Sequence, residues 1–151
     1  FNAYKFCKKI KNYTHTHLTP NHAEAIRLTK SFKNLNLKDI WITCGSEPVK
    51  WDLIIDFVKK GCSFMVNWGM TEIGPCAINT VFNDLEKVYE YKKRAIKGTL
   101  MGDKTYCETK IENKTLHVKG NISVYENKWF DTKDLVEMNK NNDFYIQGRS
   151  K

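Results

Sequence analysis

The stretch Ser63-Phe64-Met65-Val66-Asn67-Trp68-Gly69-Met70-Thr71-Glu72 decides how this chain is interpreted. Its apolar run, residues 64–66, predicts a short strand. Gly69 then predicts a turn, because glycine lets the backbone bend where a Cβ would obstruct it. Such a turn would present an aromatic ring, a hydroxyl and a carboxylate within the five residues from Trp68 to Glu72.

Those three groups suit a nucleotide. Trp68 can stack on a base, Thr71 can donate a hydrogen bond to a phosphate oxygen, and Glu72 can bind the Mg²⁺ that neutralises phosphate charge. Taken alone the signal is weak, since a tryptophan beside a glycine at a strand end is more often part of a hydrophobic core.

Strands and helices alternate in the first part of the chain. Thr19-Pro20 predicts a helix start, with a hydroxyl N-cap and a proline in the first turn. The pattern predicts strands over 14–18, 39–43 and 63–66, with helices over 20–32 and from Pro48 to Gly61. Short connections between such elements are typical of a parallel sheet. The turns that follow two of these strands, at 44–46 and 68–72, are then expected side by side at its carboxyl edge.

From Gly98 onwards the pattern changes to short β-like runs separated by turn residues. The runs cover 106–112, 115–119, 135–138 and 144–147 and predict antiparallel structure. The predicted fold class is therefore α/β, with a parallel βαβαβ layer followed by a small antiparallel β-barrel-like subdomain. The expected subdomains span residues 1–95 and 96–147.

The net charge of +8 raises the possibility of a nucleic-acid-binding module. Of the 25 basic residues, however, 22 are lysine and three are arginine, and they are scattered along the chain. Nucleic-acid-binding proteins concentrate basic residues on one element, so a solvated basic surface is the favoured interpretation. No apolar run approaches the ~20 residues of a membrane span. The five cysteines lack paired metal-ligand spacing and predict reduced thiols in the cytoplasm.

Four motifs occur in a fixed order: Thr43-Cys44-Gly45-Ser46-Glu47-Pro48, the 67–72 stretch, Trp129-Phe130-Asp131-Thr132-Lys133-Asp134 and Gly148-Arg149-Ser150-Lys151. In that order the set resembles the adenylate-forming (AMP-binding) ligases, which include acyl-CoA synthetases, luciferases and adenylation domains of peptide synthetases. Those enzymes carry Tyr-Gly-x-Thr-Glu, a downstream Trp-x-x-Thr-Gly-Asp and a Gly-Arg near a domain hinge. With Thr16-His17-Leu18-Thr19-Pro20 added, the wording is closest to small acyl-CoA ligases of the o-succinylbenzoate type.

The resemblance assigns five residues to the adenine side of a nucleotide site. Gly45 and Ser46 would lie against the adenine and the acyl pocket. Asn67 and Trp68 would contact the amino edge and the face of adenine, with Gly69 in the same binding element.

It assigns the phosphate and ribose side to another set. Thr71 would meet the α-phosphate and Glu72 the metal, and both would be catalytic. Asp134 would accept hydrogen bonds from the two ribose hydroxyls, which suits an acceptor-only carboxylate. Arg149 would also reach the ribose. Lys151 would fall in the hinge, residues 148–151.

Two positions depart from the family pattern. Lys133 stands where the family has glycine, which disfavours ribose binding if that position needs a positive φ. Trp68 replaces tyrosine, so a stacking face is kept and a phenol hydroxyl is lost. The family's phosphate loop and its small C-terminal domain with the catalytic lysine have no counterpart in this sequence. The segment is therefore expected to be the last part of a large N-terminal domain, inactive by itself.

The implied function is that of an ATP-dependent acid–thiol ligase segment. Such an enzyme uses ATP and Mg²⁺ to activate a small carboxylic acid as acyl-AMP and then transfers the acyl group to coenzyme A. Two alternatives remain within the family: a degenerate, non-catalytic adenylate-binding relative, and an adenylation domain that loads the thiol of a carrier protein.

Overall fold

The computed structural model describes residues 1–45, 47–120, 123–125 and 127–151, apart from the side chain of Pro75. The helices are α1 (Ala3–Lys9), α2 (Pro20–Arg27), α3 (Trp51–Val58) and α4 (Leu85–Lys93), with short 3-10 helices at Ile10–Asn12 and Lys30–Asn34. The strands are β1 (His15–Leu18), β2 (Trp41–Gly45), β3 (Ser63–Met70), β4 (Gly74–Phe82), β5 (Thr99–Gly102), β6 (Lys104–Thr105), β7 (Glu108–Glu112), β8 (Thr115–Lys119), β9 (Phe130–Met138) and β10 (Phe144–Arg149).

The chain forms two compact units. The first contains residues 1–66 and 81–93, and the second contains residues 67–80 and 94–151. Each unit is thus built from two separate stretches of sequence, and the chain passes between the units three times: within β3, within β4 and directly after α4.

The start of α2 is the one predicted. The Thr19 hydroxyl accepts a hydrogen bond from the backbone N–H of His22 at 3.2 Å, and the His22 ring accepts one from the backbone of Thr19, which completes a capping box. The helix ends sooner than its pattern predicts, at Arg27. There the Thr29 hydroxyl donates to the carbonyl of Ile26 at 2.8 Å, and a 3-10 turn follows.

A group of aromatic side chains lies in the core of the first unit. The ring of Phe57 in α3 lies 5.2 Å from that of Phe32 and 5.6 Å from that of Phe64 in β3, between centroids. Phe57 and Phe64 are fully buried. Large buried aromatic surfaces contribute strongly to stability, so these contacts fix α3 against β3.

The first sheet has the strand order β1-β2-β3-β4-β6. Strands β1 and β2 pair in parallel, with His15 opposite Trp41 and Leu18 opposite Cys44, which confirms the predicted parallel pairing of these two. The sheet is not parallel throughout, because β4 pairs antiparallel with β6. Neither of these two strands was predicted.

The second sheet has the order β5-β10-β9-β8-β7 and lies within the second unit. The antiparallel pairing predicted for this region is confirmed. The barrel-like closure is wrong for the described strands, because β5 and β7 are edges and a barrel requires its first and last strands to pair. The core of the second unit is a cluster of eight buried residues: Ile73, Ala77, Ile78, Met101, Leu116, Val118, Val136 and Phe144.

A buried ion pair ties Arg94, the first residue of the second unit's longer stretch, to the β9–β10 hairpin. The Nε and Nη2 atoms of Arg94 lie 2.7 and 2.9 Å from the two carboxylate oxygens of Asp143, whose side chain is fully buried. Asn139 donates a further hydrogen bond to Asp143 at 2.8 Å. A buried carboxylate with this many donors is well compensated for its lost hydration.

Candidate functional site

Two of the predicted site residues meet in the second unit. The indole Nε1 of Trp68, on β3, donates a hydrogen bond to Oδ2 of Asp134, on β9, at 2.9 Å. They are 66 residues apart in the sequence and come from two of the four motifs. The fold therefore brings together the proposed adenine contact and the proposed ribose acceptor.

A third motif reaches the same carboxylate. Arg149 lies opposite Asp134 in the register of β10 and β9. Its Nη1 donates to Oδ1 of Asp134 at 2.9 Å and to the carbonyl of Thr132 at 3.2 Å. The Asp134 side chain is 6% exposed and that of Arg149 is 63% exposed. The arginine thus pairs with a buried carboxylate from an exposed position.

Thr132 holds the backbone beside this carboxylate, although its role was not predicted. Its buried hydroxyl donates to the carbonyl of Leu116 on β8 at 2.8 Å and accepts from the backbone N–H of Asp134 at 3.2 Å. The signal for Thr132 in the sequence is its place in the Trp-x-x-Thr motif, because its hydroxyl is neither ionisable nor aromatic. The hydroxyl therefore links the backbone N–H of Asp134 to the neighbouring strand β8.

Lys133 adopts a left-handed conformation, with φ of +64°. The glycine expected at this place by the resemblance is therefore explained, because only glycine occupies that region without steric cost. The Lys133 side chain is 61% exposed, and its Nζ lies 3.2 Å from Asp131, not from Asp134. The lysine leaves the Asp134 carboxylate to Trp68 and Arg149.

Asp131 stabilises this left-handed turn. Its Oδ1 accepts the backbone N–H of Lys133 at 2.9 Å. This hydrogen bond is the main reason that the pKa of Asp131 is lowered, and the Lys133 side chain and the nearby His117 act in the same direction. Asp131 was not predicted to matter, and its signal is again position within the motif.

Thr71 and Glu72 lie in the three-residue connection between β3 and β4. Thr71 is exposed and Glu72 is half-buried. The Glu72 carbonyl accepts the backbone N–H of Val124 at 2.8 Å, which ties the connection to a later loop. The turn predicted at Gly69 is wrong: Gly69 lies inside β3, which stays hydrogen-bonded in the sheet through Met70.

The structure describes only part of the first motif, residues 43–48. Gly45 is buried and ends β2 in the first unit, whereas Ser46 lies outside the described residues. Their expected proximity to Trp68 stays a prediction, as does the hinge role of Lys151, an exposed residue. Asn67 is half-buried on β3.

Among the described residues, no group of three His, Cys, Asp or Glu side chains is arranged to hold a metal ion. The predicted metal ligand, Glu72, is a half-buried carboxylate beside the exposed hydroxyl of Thr71. That donor set fits Mg²⁺ carried by nucleotide phosphates, since Mg²⁺ is commonly held by one or two carboxylates together with phosphates and water. Within the described part of the chain, no helix is long and apolar enough to span a membrane.

No protein-family model matches the chain, and none of the curated proteins does. Solved structures match it closely in fold. The N-terminal domain of FACL13 from Mycobacterium tuberculosis aligns with a TM-score of 0.77 and 19% identity, over 99% of this chain and 42% of that one. The o-succinylbenzoate coenzyme A synthetase MenE from Bacillus subtilis, in complex with ATP and magnesium, aligns at 0.74 and 18%, over 99% and 34%. The anthranilate CoA ligase AuaEII, in complex with anthranoyl-AMP, aligns at 0.76 and 15%, over 97% and 32%.

The chain spans less than half the length of these solved chains. At such low identity the likeness concerns the fold. The chain has the fold of part of the N-terminal domain of acyl-CoA synthetases and related adenylate-forming ligases.

Proposed function

We propose that this chain is the nucleotide-binding part of an ATP-dependent ligase that activates a small carboxylic acid as acyl-AMP. The observation that carries the proposal is the meeting of Trp68, Asp134 and Arg149, from three separate motifs, at hydrogen-bond distances of 2.9 Å. The ligands named for MenE and AuaEII, which share the fold, support a nucleotide and an acyl-AMP as the species bound.

Asp134 accepts the two ribose hydroxyls in this proposal. An ionised carboxylate has about four acceptor positions, and Trp68 and Arg149 occupy one on each oxygen. One position on each oxygen is left, which matches a pair of vicinal hydroxyls. Arg149 is largely exposed, so its remaining guanidinium N–H donors can reach the ribose while Nη1 keeps its bond to Asp134.

Thr71 and Glu72 serve the phosphates. The substrate carboxylate oxygen attacks the α-phosphorus, and the bond to the pyrophosphate oxygen breaks as pyrophosphate leaves. The exposed Thr71 hydroxyl donates to an α-phosphate oxygen as charge develops there. Glu72 would hold Mg²⁺, which supplies neutralisation of the phosphate charge when bound. The second step, transfer of the acyl group to the thiol of coenzyme A or of a carrier protein, depends on residues outside this sequence. A cytoplasmic location fits the free cysteines.

Two observations favour the alternative of a non-catalytic relative. Lys133 occupies, with φ of +64°, the left-handed position for which the family pattern has glycine. The Asp134 side chain is only 6% exposed and both of its oxygens already have partners, so it could serve as a structural tie between β3, β9 and β10. In that case the carboxylate would hold the fold and contribute nothing to nucleotide binding.

Calorimetry with ATP distinguishes a ribose-binding role of Asp134 from a purely structural one. Charge-assisted hydrogen bonds are worth about 1.5–3 kcal/mol each, so Asp134→Ala is expected to weaken ATP binding at least about tenfold if the ribose is bound there. Lys133→Gly is the matched control on the neighbouring residue and should change binding little, because its side chain pairs with Asp131. Unchanged ATP affinity in Asp134→Ala would favour the non-catalytic relative.

Pyrophosphate exchange tests the chemistry in the longer ligase of which we propose the chain to be a part. Glu72→Gln should abolish acyl-adenylate formation, because it removes the metal's carboxylate ligand. AMP binding and the melting temperature should stay near the wild-type values, since Glu72 would act through the metal that accompanies the β- and γ-phosphates of ATP, which AMP lacks. Exchange at a near wild-type rate would remove Glu72 from the mechanism.

A further inference from the structure

We propose that Trp68 is a positioning residue that makes the site selective for ribose: its indole N–H holds the Asp134 carboxylate in the orientation that accepts two sugar hydroxyls. This inference rests on the proposed function. It assigns Trp68 a second role, hydrogen bonding through its indole N–H, beside stacking on the base. It predicts that loss of the N–H alone alters sugar recognition.

The hydrogen bonds of Asp134 carry the argument. Its backbone N–H is held by Thr132, and its two carboxylate oxygens each accept one side-chain donor, from Trp68 and from Arg149. A donor on each oxygen opposes rotation of the carboxylate about the Cβ–Cγ bond of Asp134. Because the side chain is 6% exposed, a ligand can approach it over only a small surface. The orientation of the carboxylate therefore decides whether two hydroxyls find acceptors.

The two donors differ in how firmly they are held. Arg149 is 63% exposed and has a long, flexible side chain, so ordering it costs side-chain entropy. Trp68 has two side-chain torsions, is partly buried and packs against the core cluster of the second unit. Trp68 is therefore the fixed donor that orients Asp134, and Arg149 is the adjustable one.

Phenylalanine at this position separates positioning from stacking. Trp68→Phe keeps an aromatic face and removes the only donor that an indole has. If Trp68 served only as a stacking surface, the loss would fall equally on every nucleotide with the same base. If it orients Asp134, the loss falls on nucleotides that carry ribose hydroxyls.

The test is calorimetry of ATP and 2′,3′-dideoxy-ATP with the wild type, Trp68→Phe, Asp134→Ala and the double variant. The wild type is expected to bind ATP at least about tenfold more tightly than the dideoxy nucleotide, from two charge-assisted hydrogen bonds. In Trp68→Phe this ratio should fall to about threefold or less, while affinity for dideoxy-ATP changes by no more than about threefold. In the Asp134→Ala background, Trp68→Phe should leave the ratio unchanged, as expected for two residues that act through one contact.

Equal weakening of ATP and dideoxy-ATP by Trp68→Phe, or an unchanged ratio, would overturn the proposal and leave nucleotide binding itself intact. A wild-type protein that binds neither nucleotide would refute the proposed function, and the role of Trp68 with it. If Trp68→Phe fails to fold, incorporation of 3-benzothienylalanine at the same position removes the N–H at nearly the same ring volume. The ratio of ATP affinity to dideoxy-ATP affinity, compared between the wild type and this variant, then tests the proposal.

Discussion

Replacing Lys133 tests the left-handed backbone beside Asp134. Lys133 has φ of +64°, a region in which a side chain clashes with the backbone and glycine does not. Two variants isolate this effect. Lys133→Ala keeps the steric clash and removes the side-chain ion pair with Asp131, whereas Lys133→Gly removes both and, like alanine, keeps the backbone N–H that Asp131 accepts.

The difference between the two variants measures the backbone term. A left-handed residue with a Cβ destabilises the folded state by about 1–2 kcal/mol. Glycine avoids this cost but lowers the free energy of unfolding by about 0.4–1 kcal/mol, because its unfolded chain has more conformational freedom. We therefore expect Lys133→Gly to be more stable than Lys133→Ala by about 0.5–1 kcal/mol. The contact between the 61% exposed lysine and Asp131 adds little, because surface ion pairs are weak.

Thermal unfolding followed by circular dichroism measures this difference. For a protein of this size, 1 kcal/mol corresponds to about 2–4 °C, so Lys133→Gly should melt about 1–4 °C above Lys133→Ala. Denaturation in urea gives the same comparison at constant temperature. A glycine variant that melts at or below the alanine variant would show that the left-handed conformation is absent in solution, and the account of the motif's glycine would fail.

Three other substitutions or treatments test separate features. The pKa of Asp131 is lowered in the folded protein, so its stabilising contribution is present above the unfolded value of about 3.9 and is lost as the pH falls through the lower folded value. Asp131→Asn should flatten the dependence of the urea midpoint on pH below about pH 4, and a slope equal to that of the wild type would contradict this. A Cβ at Gly102 would overlap the backbone of β4, whereas one at Gly74 would meet nothing within 4 Å, although φ is positive at both. Gly102→Ala should therefore cost about 3 kcal/mol or more and its control Gly74→Ala about 1 kcal/mol, and equal urea midpoints would refute the close approach. Burial raises the pKa of Cys44 and Cys62 to about 12, so iodoacetamide at pH 8 should alkylate neither in the native protein; rapid labelling of either, seen by mass spectrometry, would contradict their burial.

The sequence predicted elements where local signals agreed. The Thr19-Pro20 start of α2 uses residues suited to its backbone, and so does Asn113, at φ of 53°, in the turn after Glu112. Lys114, at φ of 69°, occupies the left-handed region there that glycine favours. The parallel pairing of β1 with β2 followed from alternation of strands and helices. In each case the signal lies within a few residues of the feature that it predicts.

Strand β4 was not predicted because polar residues in its middle do not indicate a buried strand. Asn79 and Thr80 are 2% and 1% exposed, yet polar residues in the middle of a segment argue against a core strand. Asn79 donates to the nearby carbonyl of Cys76 at 3.1 Å, whereas the fold supplies the partner of Thr80, whose hydroxyl accepts the backbone N–H of Asp103 at 2.9 Å. A partner 23 residues away cannot be read from local composition.

The contacts around Asp134 were out of reach for the same reason. Motif order predicted that Trp68, Asp134 and Arg149 would share a site, and the structure places them in one hydrogen-bonded group. That the indole N–H is the donor, and that Lys133 turns towards Asp131, depend on a left-handed residue and on strand register. Neither follows from residue types alone.

The discontinuous make-up of the two units affects how the protein can be cut. Because the chain crosses between them after residues 66, 80 and 93, a protease that cleaves at one crossing divides a unit and does not release one. Cleavage after residue 93 would separate the fragment that holds Asp134 and Arg149 from the one that holds Trp68. Reassembly of two such fragments would then have to rebuild the hydrogen bond at Asp134, so recovery of nucleotide binding on mixing them would report directly on that contact.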